Sequence, residues 1–119
     1  STRAMQLNAA GAVLHGYSRD TNEVLRLGFP TFSMGTYAQD QGPRGKVIDF
    51  RVPIEIEKVV IHPGDIVYGD RDGVVIIPQA IQDEVFEKAF EKARGEKQVL
   101  KALQEGMSTV MAFEKFGIM

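Results

Sequence analysis

In the second half of the chain the apolar residues change their period at Pro78, and that change constrains the chain more than any other feature of it. From Val47 to Pro78 the sequence is strand-like almost throughout, with Val52, Ile54 and Ile56 on one face and Glu55 and Glu57 on the other. Such alternation fits a sheet with one buried side and one side in solvent. Pro63-Gly64-Asp65 and Asp70-Arg71-Asp72-Gly73 are turn signals, and Ile66-Val67-Tyr68 and Val74-Val75-Ile76-Ile77 lie between and after them. A small antiparallel or mixed β unit is expected. Beyond Pro78 the spacing becomes helical: Ile81, Val85, Phe86, Ala89, Phe90 and Ala93 recur on one face, and Val99, Leu100 and Leu103 carry the pattern to Gly106. One long amphipathic helix is expected, with Gly95 the place where it would bend. The Phe86 and Phe90 stripe reads as core or subunit interface. Ser108 then caps a last short helix that packs Val110, Met111 and Phe113.

The first half alternates shorter elements. Residues 2–10 suit the end of a helix with Gly11 as its C-cap, and Ala12-Val13-Leu14-His15 reads as a buried strand stopping near Gly16. Polarity then switches, with Asp20 as N-cap of a helix that carries Glu23, Val24, Leu25 and Leu27 and stops at Gly28. Phe29 to Met34 forms another strand. The stretch Gly35 to Lys46, rich in glycine and polar residues, is a surface loop of the kind that borders sites.

Composition narrows the chemistry. Hydrophobic residues at 44% and charged residues at 25% are the balance of an ordinary globular chain, and 119 residues fit one small domain. A net charge of −2 offers no broad positive field for phosphate backbones, so direct nucleic-acid binding is not expected. With no cysteine, disulfides and thiolate chemistry are excluded, and any metal must be held by oxygen or imidazole. A hard divalent cation is the default. No apolar run is long enough to span a bilayer and no signal pattern opens the chain, so a cytoplasmic protein with no membrane partner is expected.

The chemistry concentrates at Arg19-Asp20, where a strand hands over to a helix whose dipole favours anions. Asp20 can hold a hard divalent ion directly or through water, and Arg19 can grip a carboxylate or enolate oxygen with two donors. Glu23 lies one turn further along the same face. The rival reading is structural, with Asp20 capping the helix and Arg19 pairing with Glu23. Asp65, Asp70 and Asp72 each sit in a glycine-containing turn, where aspartate ordinarily bonds its own backbone. His15 and His62 share no ligand spacing and read as strand residues. Lys46 and Lys58 have no flanking feature that would lower their pKa, which disfavours Schiff-base chemistry.

Two segments, Gly11-Ala12-Val13-Leu14-His15-Gly16-Tyr17-Ser18-Arg19-Asp20 and the run from Pro63 to Pro78, resemble the RraA-like family. Their order and separation, and the helical tail, extend the resemblance over essentially the whole chain. It implies an α/β fold, a β/β/α swivelling domain similar to the phosphohistidine domain, as a single domain over residues 1–119 that lacks the family's N-terminal third. It also implies homotrimers or homohexamers with active sites between subunits.

The implied activity is a class II, divalent-metal-dependent aldolase or decarboxylase. It would cleave a 2-oxo acid of the 4-hydroxy-4-methyl-2-oxoglutarate or oxaloacetate type to release pyruvate. On that resemblance Arg19 and Asp20 are catalytic, Arg19 also binds substrate, and Asp20 and Glu23 serve Mg2+ or Mn2+. A further acidic residue of the family's enzymes would fall before Ser1. Glu57-Lys58 departs from the pattern, standing where small, glycine-rich residues are expected. The family also contains non-catalytic regulators that bind ribonuclease E, and an inactive fragment of the enzyme is a third reading. Keeping Arg19, Asp20 and Glu23 together favours the enzyme.

Overall fold

The computed structural model describes residues 1–117, and the chain divides into two compact units, Ser1–Ile76 and Ile77–Met119. The first unit contains α1 (Thr2–Gln6), β1 (Ala12–Val13), α2 (Thr21–Arg26), β2 (Thr31–Phe32), β3 (Ile54–Ile56), β4 (Val59–Ile61) and β5 (Ile66–Gly69). Strand β6 (Val74–Ile77) closes it, and its last residue opens the second unit. There a 3-10 turn at Gln79–Ile81 leads into α3 (Gln82–Gln104), followed by α4 (Thr109–Phe116). The fold is α/β, with β1–β2, β3–β4 and β5–β6 each forming a two-stranded sheet. Among the described residues no helix is long and apolar enough to cross a membrane.

Strands β1 and β2 are parallel, with Ala12 opposite Thr31 and Val13 opposite Phe32, and α2 makes the crossover between them. A parallel pair needs such a connection, because its second strand must start from the same end as the first. Both strands are shorter than the apolar runs suggested. The backbone bends at His15 and Gly16, yet pairing continues through the bend: Leu14 N, just before it, donates to Phe32 O at 2.8 Å, and Met34 N donates to Gly16 O within it at 2.9 Å. The expected burial of β1 is also not met, since Val13 and Leu14 are 37% and 39% exposed. Two strands alone leave a face uncovered. Neither histidine is in a strand: His15 sits in the bend and His62 opens a turn.

Gly11 is not the cap of α1. The helix stops earlier, at Gln6, and Asn8 takes the left-handed position with φ 62°. Asn8 N donates to Met5 O and Ala9 N to Ala4 O, the paired bonds that close a Schellman motif. Gly11 instead allows close approach of the next strand, since a Cβ there would lie 2.8 Å from the Pro30 carbonyl oxygen.

In the region expected to be extended from Val47, strand begins only at Ile54. The preceding segment has no neighbour to pair with and ends on Pro53, which lacks a donor. Val47, Ile48 and Phe50 are exposed there. Strands β3 and β4 form a hairpin in which Ile56 faces Val59 across a two-residue loop, Glu57-Lys58, with φ of 47° and 74°. Positive φ at both positions is the type I′ geometry that Asn-Gly adopts most readily. Holding Glu and Lys there stores strain of roughly 1–3 kcal/mol per residue. The double substitution Glu57→Asn, Lys58→Gly is therefore expected to stabilise the first unit by about 1 kcal/mol. Its melting temperature should rise by roughly 2–8 °C, and a fall would mean that the native side chains hold contacts worth more than the strain.

The two turns near β5 behave as their sequences suggest. Pro63-Gly64 reverses the chain with Gly64 at φ 102°, and Asp65 Oδ2 accepts from His62 N at 2.8 Å. Asp70 Oδ1 accepts from Asp72 N at 2.8 Å, and Asp70 N donates to Gly73 O. These carboxylates serve their own backbone.

In the second unit α3 runs without interruption through Gly95 to Gln104, and Gly106 just beyond it takes φ 94°. Ser108 caps α4 as expected, its Oγ accepting from Met111 N at 3.2 Å. Val99, Ala102 and Ala112 are the buried apolar residues among the described residues of this unit, and the two alanines keep side-chain bulk low where α3 and α4 meet. The rings of Phe86 and Phe90 stack at 6.2 Å, but Phe90 stays 60% exposed.

Candidate active site

The parallel pair sets the position of the site. Past Phe32 the two chains stay side by side: Ser18 N donates to Gly35 O and Tyr37 N to Ser18 O, each at 2.9 Å, with a parallel bridge between Ser18 and Thr36. Both segments therefore leave the sheet at the same, carboxyl end. Arg19-Asp20 emerges from one and Thr36 to Asp40 from the other, and a crevice at such an end is where open α/β sheets bind ligands. A cleft of about 300 Å³ lies there, lined by Ser18, Arg19, Asp20, Thr36 and Tyr37. A larger cavity of about 760 Å³ adjoins it and shares Ser18, Arg19 and Tyr37.

Asp20 occupies the N-cap position of α2 but does not act as a cap. Its backbone is left-handed, with φ 59° and ψ 36°, and its carboxylate accepts no hydrogen bond from the helix amides. A cap with extended backbone would aim its oxygens back at the first turn; the left-handed conformation does not, and costs roughly 1–3 kcal/mol in a non-glycine residue. Arg19 does not pair with Glu23 either. Glu23 Oε1 is held by Arg26 Nη1 at 2.8 Å, one turn along the same helix. Helix α2 has six residues, so its macrodipole contributes little to anion binding.

Arg19 lies between two carboxylates. Its Nε is 3.5 Å from Asp20 Oδ1 and its Nη1 is 3.4 Å from Asp40 Oδ1. Asp40 is the residue that sequence reasoning missed. It belongs to the Gly35 to Lys46 loop, and the local signal was Asp40-Gln41-Gly42, an aspartate two residues before a glycine. Gly42 N donates to Asp40 Oδ1 at 3.1 Å, and Arg44 Nη1 donates to the Asp40 carbonyl at 2.6 Å. The Gly42 amide, and then the positive charge of Arg19, hold the Asp40 carboxyl below the usual carboxylate range. The folded form is thus favoured wherever Asp40 is ionised, and that contribution is lost as the pH falls through its depressed pKa. The group is exposed, so the linkage steadies a loop more than the fold.

Among the described residues no three His, Asp or Glu side chains converge as a ready-made metal cage. A magnesium-type ion does not require one, because it keeps several waters and is commonly held by one or two carboxylates together with substrate oxygens. Asp20, with a side chain 68% exposed and no helix amide to satisfy, suits that role. Glu23 is engaged by Arg26 and lines neither the cleft nor the adjoining cavity.

The profile of the RraA-like family (Aldolase/RraA) matches residues 1–76, and these hold the whole of the cleft. The chain belongs to that family. A putative 4-hydroxy-4-methyl-2-oxoglutarate aldolase of Halalkalibacterium halodurans is 33% identical over 110 residues, which is 92% of this chain and 52% of that protein. The 4-hydroxy-4-methyl-2-oxoglutarate aldolase of Thermus thermophilus is 29% identical over 59% of this chain and 42% of its own length. An uncharacterized protein from Pseudomonas syringae pv. tomato superimposes with a TM-score of 0.85 at 27% identity, covering 93% of this chain and 56% of that one. The chain spans about half the length of the curated relatives it matches.

Proposed function

We propose that this chain carries the site of a divalent-metal-dependent aldolase or decarboxylase that cleaves a 2-oxo acid and releases pyruvate. One observation carries the reading: Arg19 and a non-capping, left-handed Asp20 meet in a cleft at the carboxyl end of a parallel strand pair. A Mg2+ or Mn2+ ion held through Asp20 would polarise the keto and carboxylate oxygens of the substrate. The guanidinium of Arg19 presents paired donors to the carboxylate and keto oxygens of the 2-oxo acid end. As the bond to the departing carbon breaks, its electron pair passes into the enolate of pyruvate, and Arg19 stabilises the oxygen on which that charge grows. In the aldol case the hydroxyl of the departing carbon gives up its proton and becomes a carbonyl, in the decarboxylation case the carboxylate leaves as carbon dioxide, and protonation of the enolate carbon then gives pyruvate. Asp40, on the side of the larger cavity, steadies the Arg19 guanidinium at 3.4 Å, and the Arg44 and Gly42 contacts hold Asp40 in turn.

The test is pyruvate release from 4-hydroxy-4-methyl-2-oxoglutarate and from oxaloacetate, measured with magnesium or manganese and again after chelation. Turnover should vanish on chelation and return with either ion. Release that ignores the chelator would sink the metal reading. The proposal extends to the homotrimer or homohexamer of the family resemblance, and light scattering over a range of concentrations would report a mass several times that of one 13.2 kDa chain.

A further inference from the structure

The cleft and the cavity beside it share Ser18, Arg19 and Tyr37, and the proposed chemistry leaves the Tyr37 ring without a role. Tyr37 lines both spaces, facing the Arg19-Asp20 cleft on one side and the larger cavity on the other. Its backbone is fixed, since its amide donates to Ser18 O at 2.9 Å. Its ring is supported as well: Tyr17 packs against it with centroids 5.8 Å apart and planes tilted by 52°. Tyr17 rests over Gly35, where a Cβ would come within 3.6 Å of two of its ring carbons and where φ is 139°. Gly35 thus gives Tyr17 a flat seat, and Tyr17 gives Tyr37 a lateral stop. With that support, Tyr37 is still 57% exposed and Tyr17 61%.

The larger cavity also has more room than the smallest proposed substrates need. Oxaloacetate sheds carbon dioxide, which calls for no such space and no aromatic wall. Val13, Leu14, Val24 and Phe29 line the same cavity as Tyr37, together with the polar Gln39, Asp40, Gln41 and Arg44. We propose that Tyr37 is the specificity-determining residue of this site, and that the preferred substrate is a 2-oxo acid whose departing half carries a flat apolar substituent, an aryl group. This rests on the reading of Arg19 as the anchor of the 2-oxo acid end. The carboxylate and keto oxygens sit at Arg19 in the smaller cleft, and the aryl group lies against Tyr37 in the larger cavity. Aromatic rings favour tilted or offset contact over an exposed face, and such a pair adds to what area burial alone provides.

Calorimetric titration of the 119-residue chain with phenylpyruvate, a non-cleavable analogue whose ring stands where the departing half would, and with pyruvate tests this without requiring turnover. Phenylpyruvate should bind the native chain and Tyr37→Phe at least about tenfold more tightly than pyruvate, roughly 1.4 kcal/mol. In Tyr37→Ala the preference should fall to near unity while the melting curve stays cooperative. If that variant does not fold, Tyr37→Leu keeps the bulk without the flat face and should also lose the preference. Equal affinities in the native chain, no measurable phenylpyruvate binding, or a preference retained in the alanine and leucine variants would overturn the proposal. Arg19→Met separates the two readings. It should weaken both ligands together; if it weakens neither, the anchor fails, whatever Tyr37 does.

Discussion

Asp20→Gly is expected to abolish most pyruvate release while making the protein more stable. Asp20 holds a left-handed backbone and caps nothing, so its side chain contributes to folding only an exposed contact with Arg19 at 3.5 Å. Exposed ion pairs of that kind are worth roughly 0–1 kcal/mol. Glycine adopts the same backbone without a Cβ penalty, and the relieved strain is roughly 1–3 kcal/mol. A net gain in melting temperature follows. Activity should move the other way, by on the order of 10²–10³ in kcat, because the group proposed to bring electrophilic assistance to the substrate is gone. Thermal melts and turnover measured on the same preparation decide the matter. A variant that is more stable and equally active would leave Asp20 with no part in the reaction.

Arg19→Lys is expected to lower kcat/KM by roughly 10²-fold, even though it preserves the charge. In the structure the guanidinium uses two different nitrogens, Nε toward Asp20 in the cleft and Nη1 toward Asp40 in the adjoining cavity. A lysine ammonium is a single compact charge without the planar fork, and it cannot face two carboxylates while presenting paired donors to a 2-oxo acid. The division of the loss is informative. A fall in kcat with little change in KM would place the Arg19 contribution in the transition state, whereas a rise in KM alone would reduce Arg19 to a handle for the substrate carboxylate. Full activity in the lysine variant would show that charge suffices and that the bridging geometry is incidental.

Local order was written in the sequence. Helix α3 follows from apolar residues at helical spacing, α4 from Ser108, the end of α2 from Gly28, and the β5 turns from Pro63-Gly64 and Asp70. Each depends on contacts within a few residues, so neighbouring side chains suffice to specify it. The Arg19-Asp20 pair was legible for the same reason, being adjacent in the chain at a change from strand to helix.

Tertiary structure decided what those residues face. The Arg19 to Asp40 contact joins positions 21 apart, and neither carries a periodic signal that would pair them. It exists because parallel pairing from Ala12 to Ser18 brings both chain segments out at one end of the sheet. The structural role offered to Asp20 also failed only in three dimensions, because whether a carboxylate caps a helix depends on backbone dihedrals that aspartate can satisfy in more than one way. Likewise Glu57-Lys58 makes a type I′ turn against its local preference, since the β3–β4 register leaves two residues to reverse the chain. Sequence sets the preferences of single residues and short runs; which of them yield is settled by pairing between distant segments, where one register satisfies many backbone groups at once and outweighs the strain at one or two positions.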